Sequence, residues 1–258
     1  DDATANIDAV TDITAATVVL SAATGIGSTA DVDTAADSLT ADVTATGAVV
    51  INETDGVTLT SVTTADGAIT VNAGGALVAT SVLGTDGTVT LSAGGQITAT
   101  DVQANDSGAT GAYDAVLSTT AGGMVLTSVT ADNNVSATAD TGNVTVGSVS
   151  AGNQAGVTAT AGAIDDISVN PDTTTDITAA TVVLGAATGI GQTADVDVSA
   201  GSISATVTGA GAIVLNSDRS AGPAVAIAGL STQGGAITLS HTGSDNLEIT
   251  GNVTSGGA

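Results

Sequence analysis

VTLTSVTTADGAITVNAGGA (57–76) runs directly into LVATSVLGTDGTVTLSAGGQ (77–96), and the two stretches repeat one pattern at a period of 20 residues. T-S-V, D-G, a central Thr (Thr70, Thr90) and A-G-G recur in place. Each copy holds runs of alternating apolar and polar residues, at 57–62 and 69–71, then at 77–82 and 89–91. Alternation at period two is the pattern of a strand with one buried face, and D-G and G-G are turn dipeptides. A tandem period near 20, with strands and turns and no helical periodicity, predicts an all-β solenoid of stacked parallel coils. The predicted inward residues are Val57, Leu59, Val62, Ile69 and Val71, with Leu77, Ala79, Val82, Val89 and Leu91 stacked on them.

The same rhythm extends along the chain. The apolar end of T-S-V falls at Val62, Val82, Val102, Val129, Val149 and Val169. One interval is seven residues longer than the others, where NDSGATGAYD (105–114) interrupts the pattern as an inserted loop before strand-like sequence resumes at Val116. A solenoid tolerates such an insertion because the loop bulges from one coil without displacing its neighbours. A longer repeat overlies the short one. DITAATVVLSAATGIGSTADVD (12–33) returns as DITAATVVLGAATGIGQTADVD (176–197), with only Ser21/Gly185 and Ser28/Gln192 different. The DD pair, Asn6 and Asp8 return likewise at 165–166, Asn170 and Asp172. Residues 1–164 therefore read as one full super-repeat and residues 165–258 as a partial second copy, continuous with the first. At about 4.8 Å per coil the whole stretch would be about 60 Å long.

Composition fits a thin core. The chain has 258 residues with one Tyr, no Phe or Trp, one Met and no Cys. Its apolar content is thus almost entirely Ala, Val, Ile and Leu, enough to fill a coil but not the aromatic-rich interior of a globule. The formal charge is −25, from 26 acidic residues against the single Arg219. Phosphate binding needs a basic patch, so nucleic acid is excluded as a partner, and anionic membrane surfaces with it. No apolar run reaches the length of a membrane span. Both ends fall within the repeat, which reads as a segment of a longer repetitive chain or as a subunit stacking end to end.

Catalysis is not expected. Arg219 and His241 are the only candidates for neutralising an anionic substrate, and they stand more than a coil apart in sequence. The acidic pairs Asp165/Asp166 and Asp31/Asp33 have no partner in sequence that would split their pKa values. Gly25-Ile26-Gly27 and Gly189-Ile190-Gly191 lack the third glycine and the following helix of a nucleotide loop, and read as coil corners. One His and no Cys leave nothing for zinc. No cofactor is expected, with calcium the one open candidate. Asp66, Asp86 and Asp106 recur at 20-residue spacing and would stack about 5 Å apart. A hard cation with oxygen ligands would relieve their repulsion, while the plainer reading is that corner Asp residues face water and favour the turn. Tyr113 and Asp114, in the insertion, are the residues placed to touch a ligand, against a plainer reading in which the loop packs on the rod. The Thr60, Thr80, Thr100 and Thr127 column reads as strand-favouring threonines.

The texture of GIGSTADVD (25–33) and SLTADVTATGAVVINETDGVTLTSVTTADGAITVNAGG (38–75) resembles the haemagglutinin-type repeats of filamentous haemagglutinins and related giant bacterial surface adhesins. The resemblance is one of repeat style, spans essentially the whole chain and carries over no binding residue. It implies a right-handed parallel β-helix, secreted to the extracellular space or cell surface, with a role in adhesion and surface structure. The function expected is that of an extracellular structural or adhesive fibre segment, its partner being itself, end to end or laterally. The alternative is a module that binds a cell-surface glycan or receptor through the 105–114 loop.

Overall fold

The computed structural model describes residues 10–108, 112–168, 174–220 and 222–256. Among them there is no helix, and every strand pairing is parallel. The strands stack as a β-solenoid of about 11 turns with roughly 21 residues per turn. At about 4.8 Å per turn this gives a stack of about 50 Å. That is shorter than the 20-residue period suggests, because several turns carry extra residues.

The quoted stretch shows how a turn is built. Strand Val57–Asp66 bends in its middle and is followed by Ile69–Ala73. The next turn makes the same path with Leu77–Ala79, Val82–Thr85 and Val89–Ala93. Val57 pairs with Leu77, Val62 with Val82 and Ile69 with Val89, so the 20-residue period is one turn. Three ladders result, and all ten predicted inward residues are buried. Alternation puts every second side chain inside, where Val, Leu, Ile and Ala of successive turns stack into one continuous core.

Corners are closed by recurring devices. The buried Thr64 hydroxyl donates to the Gly67 carbonyl at 2.6 Å, and Thr232 does the same to Gly235 at 2.6 Å. Inside the first turns Glu53 is buried but satisfied, accepting from the Thr34 hydroxyl at 2.6 Å and the Ala36 N–H at 3.0 Å. The Gly-Ile-Gly segments are corners in both copies. Gly27 and Gly191 have φ of 65° and 67°, and a Cβ on either would stand 2.1 Å from a carbonyl oxygen of the next turn. Only glycine fits there.

The register marks hold through Val62, Val82, Val102, Val129 and Val149. The ladder then passes to Ile177, and Val169, the expected next mark, lies outside the described residues, as do Asp1, Asp2, Asn6, Asp8, Asn170 and Asp172. Strand Ala163–Asp166 pairs with Val144–Val146, and strand Ile177–Ala186 takes up the ladder of Val149.

The super-repeat does not return to its own wall. Val18 stands in the ladder of Leu39, Leu59 and Ala79. Its equivalent Val182 stands on Ala155, Val135 and Ala115, in the ladder of Ile69. Ile26 and Ile190 exchange in the opposite sense: Ile26 bridges to Val49 and so stacks under Ile69, whereas Ile190 pairs with Ile164 in the ladder of Val57. The 164-residue period is therefore not a whole number of turns.

Candidate functional site

The D-G corner at Asp86 meets the start of the inserted stretch at Ser107. Asp66 is exposed and accepts from the Thr46 hydroxyl at 2.9 Å. Asp86 has φ of 53°, a left-handed conformation that Asp tolerates better than most residues. Its carboxylate accepts from the Ser107 N–H at 2.8 Å and the Ser107 hydroxyl at 2.5 Å. Asp106 accepts from the Gly108 N–H at 2.7 Å, and its own N–H donates to the Asp132 carboxylate. Each expected column residue is thus occupied in holding its corner. Among the described residues, no three His, Cys, Asp or Glu side chains converge as a metal cage.

Tyr113 lies half-buried against the core beside this column. Burial, and then the charges of Asp86, Asp106 and Asp66, push its phenol above the usual tyrosine range. The column and the aromatic, expected separately, are brought together. Asp114 clamps the return of the inserted chain: one carboxylate oxygen accepts from the Asn133 amide at 2.8 Å, the Asn134 N–H at 3.0 Å and the Asn134 amide at 3.1 Å. The Tyr113 carbonyl accepts the Asn133 N–H of the next turn at 3.0 Å.

A second cluster was not legible from sequence spacing. Arg219 and His241 meet at Asp245 on adjacent turns. The Arg219 guanidinium stands 3.8 Å from the Asp245 carboxylate and donates to the Pro223 carbonyl at 3.3 Å. His241 bridges two carbonyls, with Nδ1 3.0 Å from Ser217 O and Nε2 2.7 Å from Asp245 O. Both contacts are hydrogen bonds at once only when the ring carries both protons. With both nitrogens engaged by backbone, this is the geometry of a clasp. A surface hollow lies beside it, lined by Thr175, Thr178, Gly201, Asp218 and Arg219.

No family model, curated protein or solved structure matches this chain. The functional reading therefore rests on the fold and on the placement of these groups. The solenoid fits a structural rod or an adhesin-like role.

Proposed function

We propose that this chain is a segment of a stiff extracellular rod, part of a larger surface or filament-forming protein of the filamentous haemagglutinin style, with a structural and adhesive role. The observation that supports it most is the uninterrupted parallel ladder of about 11 turns, whose core runs the length of the stack with one Ala/Val/Leu/Ile pattern. A body held by neighbour contacts along one axis resists bending and extends by adding turns.

The side walls carry short polar residues, and the chain as a whole has a formal charge of −25, which keeps rods apart at low salt and lets divalent ions govern lateral association. Small-angle scattering and electron microscopy test the reading. An elongated particle that grows end to end with concentration is expected, and a compact sphere-like particle would overturn it. Deleting residues 105–114 should leave rod formation intact. If deletion abolished binding to a cell-surface glycan array while rods persisted, the loop would be the receptor-binding element instead.

A further inference from the structure

One surface hollow occurs in both copies of the super-repeat. In the second copy Thr178, Ser199, Gly201, Asp218 and Arg219 help to line it, and its volume is about 510 Å³. In the first copy Thr14, Ala35, Asp37 and Asp55 help to line it, and its volume is about 280 Å³. Adding 164 to Thr14, Ala35, Asp37 and Asp55 gives Thr178, Ser199, Gly201 and Arg219. The strand register agrees, since Thr14 stands on Ala35 and Thr178 on Ser199. The flanking contact returns as well. The Thr11 hydroxyl lies 3.4 Å from the Thr54 hydroxyl, and the equivalent Thr175 hydroxyl donates to the Asp218 carboxylate.

The lining differs between the copies where its surroundings do not. Residues 12–33 and 176–197 differ only at Ser21/Gly185 and Ser28/Gln192, yet Ala35, Asp37, Thr54 and Asp55 correspond to Ser199, Gly201, Asp218 and Arg219. Two carboxylates therefore line the first hollow, whereas one carboxylate and the chain's only Arg line the second. Glycines make room for the guanidinium. A Cβ on Gly201 would stand 3.3 Å from Nη1, and one on Gly222 would stand 2.3 Å from Nη2. Arg219 is held by the Pro223 carbonyl, 3.3 Å from Nη1, and by Asp245, 3.8 Å from Nε. Beyond these contacts a guanidinium has further N–H groups to offer. Asp218 accepts from Thr175 through Oδ2, and its Oδ1 has no donor among the described residues. One hollow thus holds a fixed donor and a fixed acceptor, with Ala180 and Pro223 as apolar surface.

We propose that this second hollow binds one neutral, polyhydroxylated ring, a hexose unit of a glycan or a free sugar, and that the first hollow does not. A sugar hydroxyl both donates and accepts, so neighbouring hydroxyls meet Asp218 and Arg219 together, and the Thr178 and Ser199 hydroxyls serve in either role. The ring's C–H face fits Ala180 and Pro223. Small-molecule sites run from about 300 to 1,000 Å³, a range that includes the second hollow and leaves out the first. An anionic ligand is disfavoured, because Asp218 and Asp245 flank the only guanidinium of a chain whose formal charge is −25. A metal ion is opposed by the guanidinium itself, and no three acidic side chains converge there among the described residues. In the first hollow the side chains of Asp37 and Asp55 offer acceptors alone. The site is separate from the 105–114 loop and does not depend on the chain being a rod.

Titration of the 258-residue chain with methyl glucoside, methyl galactoside and methyl mannoside, followed by ligand-observed NMR, provides the test, with methyl glucuronide as the anionic arm. At least one neutral hexoside should bind saturably at a single site, with a Kd of about 1 mM, and the glucuronide about tenfold more weakly. Gly201→Asp installs the residue that the first copy carries there, and should weaken binding about tenfold by pairing the guanidinium. Ser199→Ala, again the first copy's residue, should weaken it about fivefold. Asp37→Gly, in the first hollow, should leave the affinity unchanged. Glycans ending in the hexose that binds separate the sources: their capture assigns the hollow to a glycan, and binding of the free hexoside alone assigns it to a free sugar, the site standing in both cases. No saturable binding of any hexoside, tighter binding of the glucuronide, or wild-type affinity in both Gly201→Asp and Ser199→Ala would overturn the proposal. So would a loss in Asp37→Gly equal to that in Gly201→Asp. If Gly201→Asp fails to fold, Ser199→Ala decides alone. Small-angle scattering of each variant should match the wild type, so binding lost at unchanged particle shape reports on the hollow, whereas the wild-type shape bears on the rod alone.

Discussion

Tyr113 is the chain's sole aromatic residue and sits beside three carboxylates that sequence spacing could align but not aim. Its phenol is pushed above the ordinary range by burial and by Asp86, Asp106 and Asp66, so deprotonation is opposed by both solvent exclusion and like charge. Because the chain has one Tyr and no Trp, ultraviolet titration reads this group directly. The midpoint should lie above that of free tyrosine and fall in Asp86→Asn; an unshifted midpoint would separate Tyr113 from the column. The position of Asp114 in the insertion was legible, but its work was not. Its three donors come from Asn133 and Asn134, a full turn later, and no local pattern encodes a contact across that distance. Arg219 and His241 are a similar case, far apart in sequence yet joined at Asp245 on the neighbouring turn.

At the scale of a turn, alternation and turn dipeptides were enough. Inward and outward sets are fixed by the period-two pattern, since a strand has only two faces. The same logic explains why the D-G corner tolerates no bulk at its glycine. A Cβ on Gly87 would lie 2.0 Å from the Gly67 carbonyl oxygen, one turn away. Gly87→Ala should therefore force the two turns apart and cost about 1–3 kcal/mol in denaturant unfolding. The outward substitution Thr90→Ala, on the same turn, should stay within about 0.5 kcal/mol. Equal losses at the two positions would show that the glycine contact is not limiting.

At the scale of the whole molecule, stability is a sum of turns and the contacts between them. Opening should begin where a turn has one neighbour and proceed inward. Hydrogen exchange is expected to be fastest in strands Ile13–Thr14, Thr17–Ala22, Ile237–His241, Leu247–Ile249 and Val253–Ser255, and slowest through 57–105. Uniform protection along the chain would mean the stack unfolds as a single cooperative block.

The 20-residue period by itself determined the solenoid and its inward residues, because local alternation and turn chemistry act within a few residues. It also showed that the chain repeats after 164 residues. Only the tertiary structure decided which wall each copy occupies. The walls are alike to an alternating Val/Ala/Ile/Leu strand, so wall choice depends on the summed length of all intervening corners and excursions, which no single segment carries. For the same reason Arg219 and Asp245 became partners only when adjacent turns stacked.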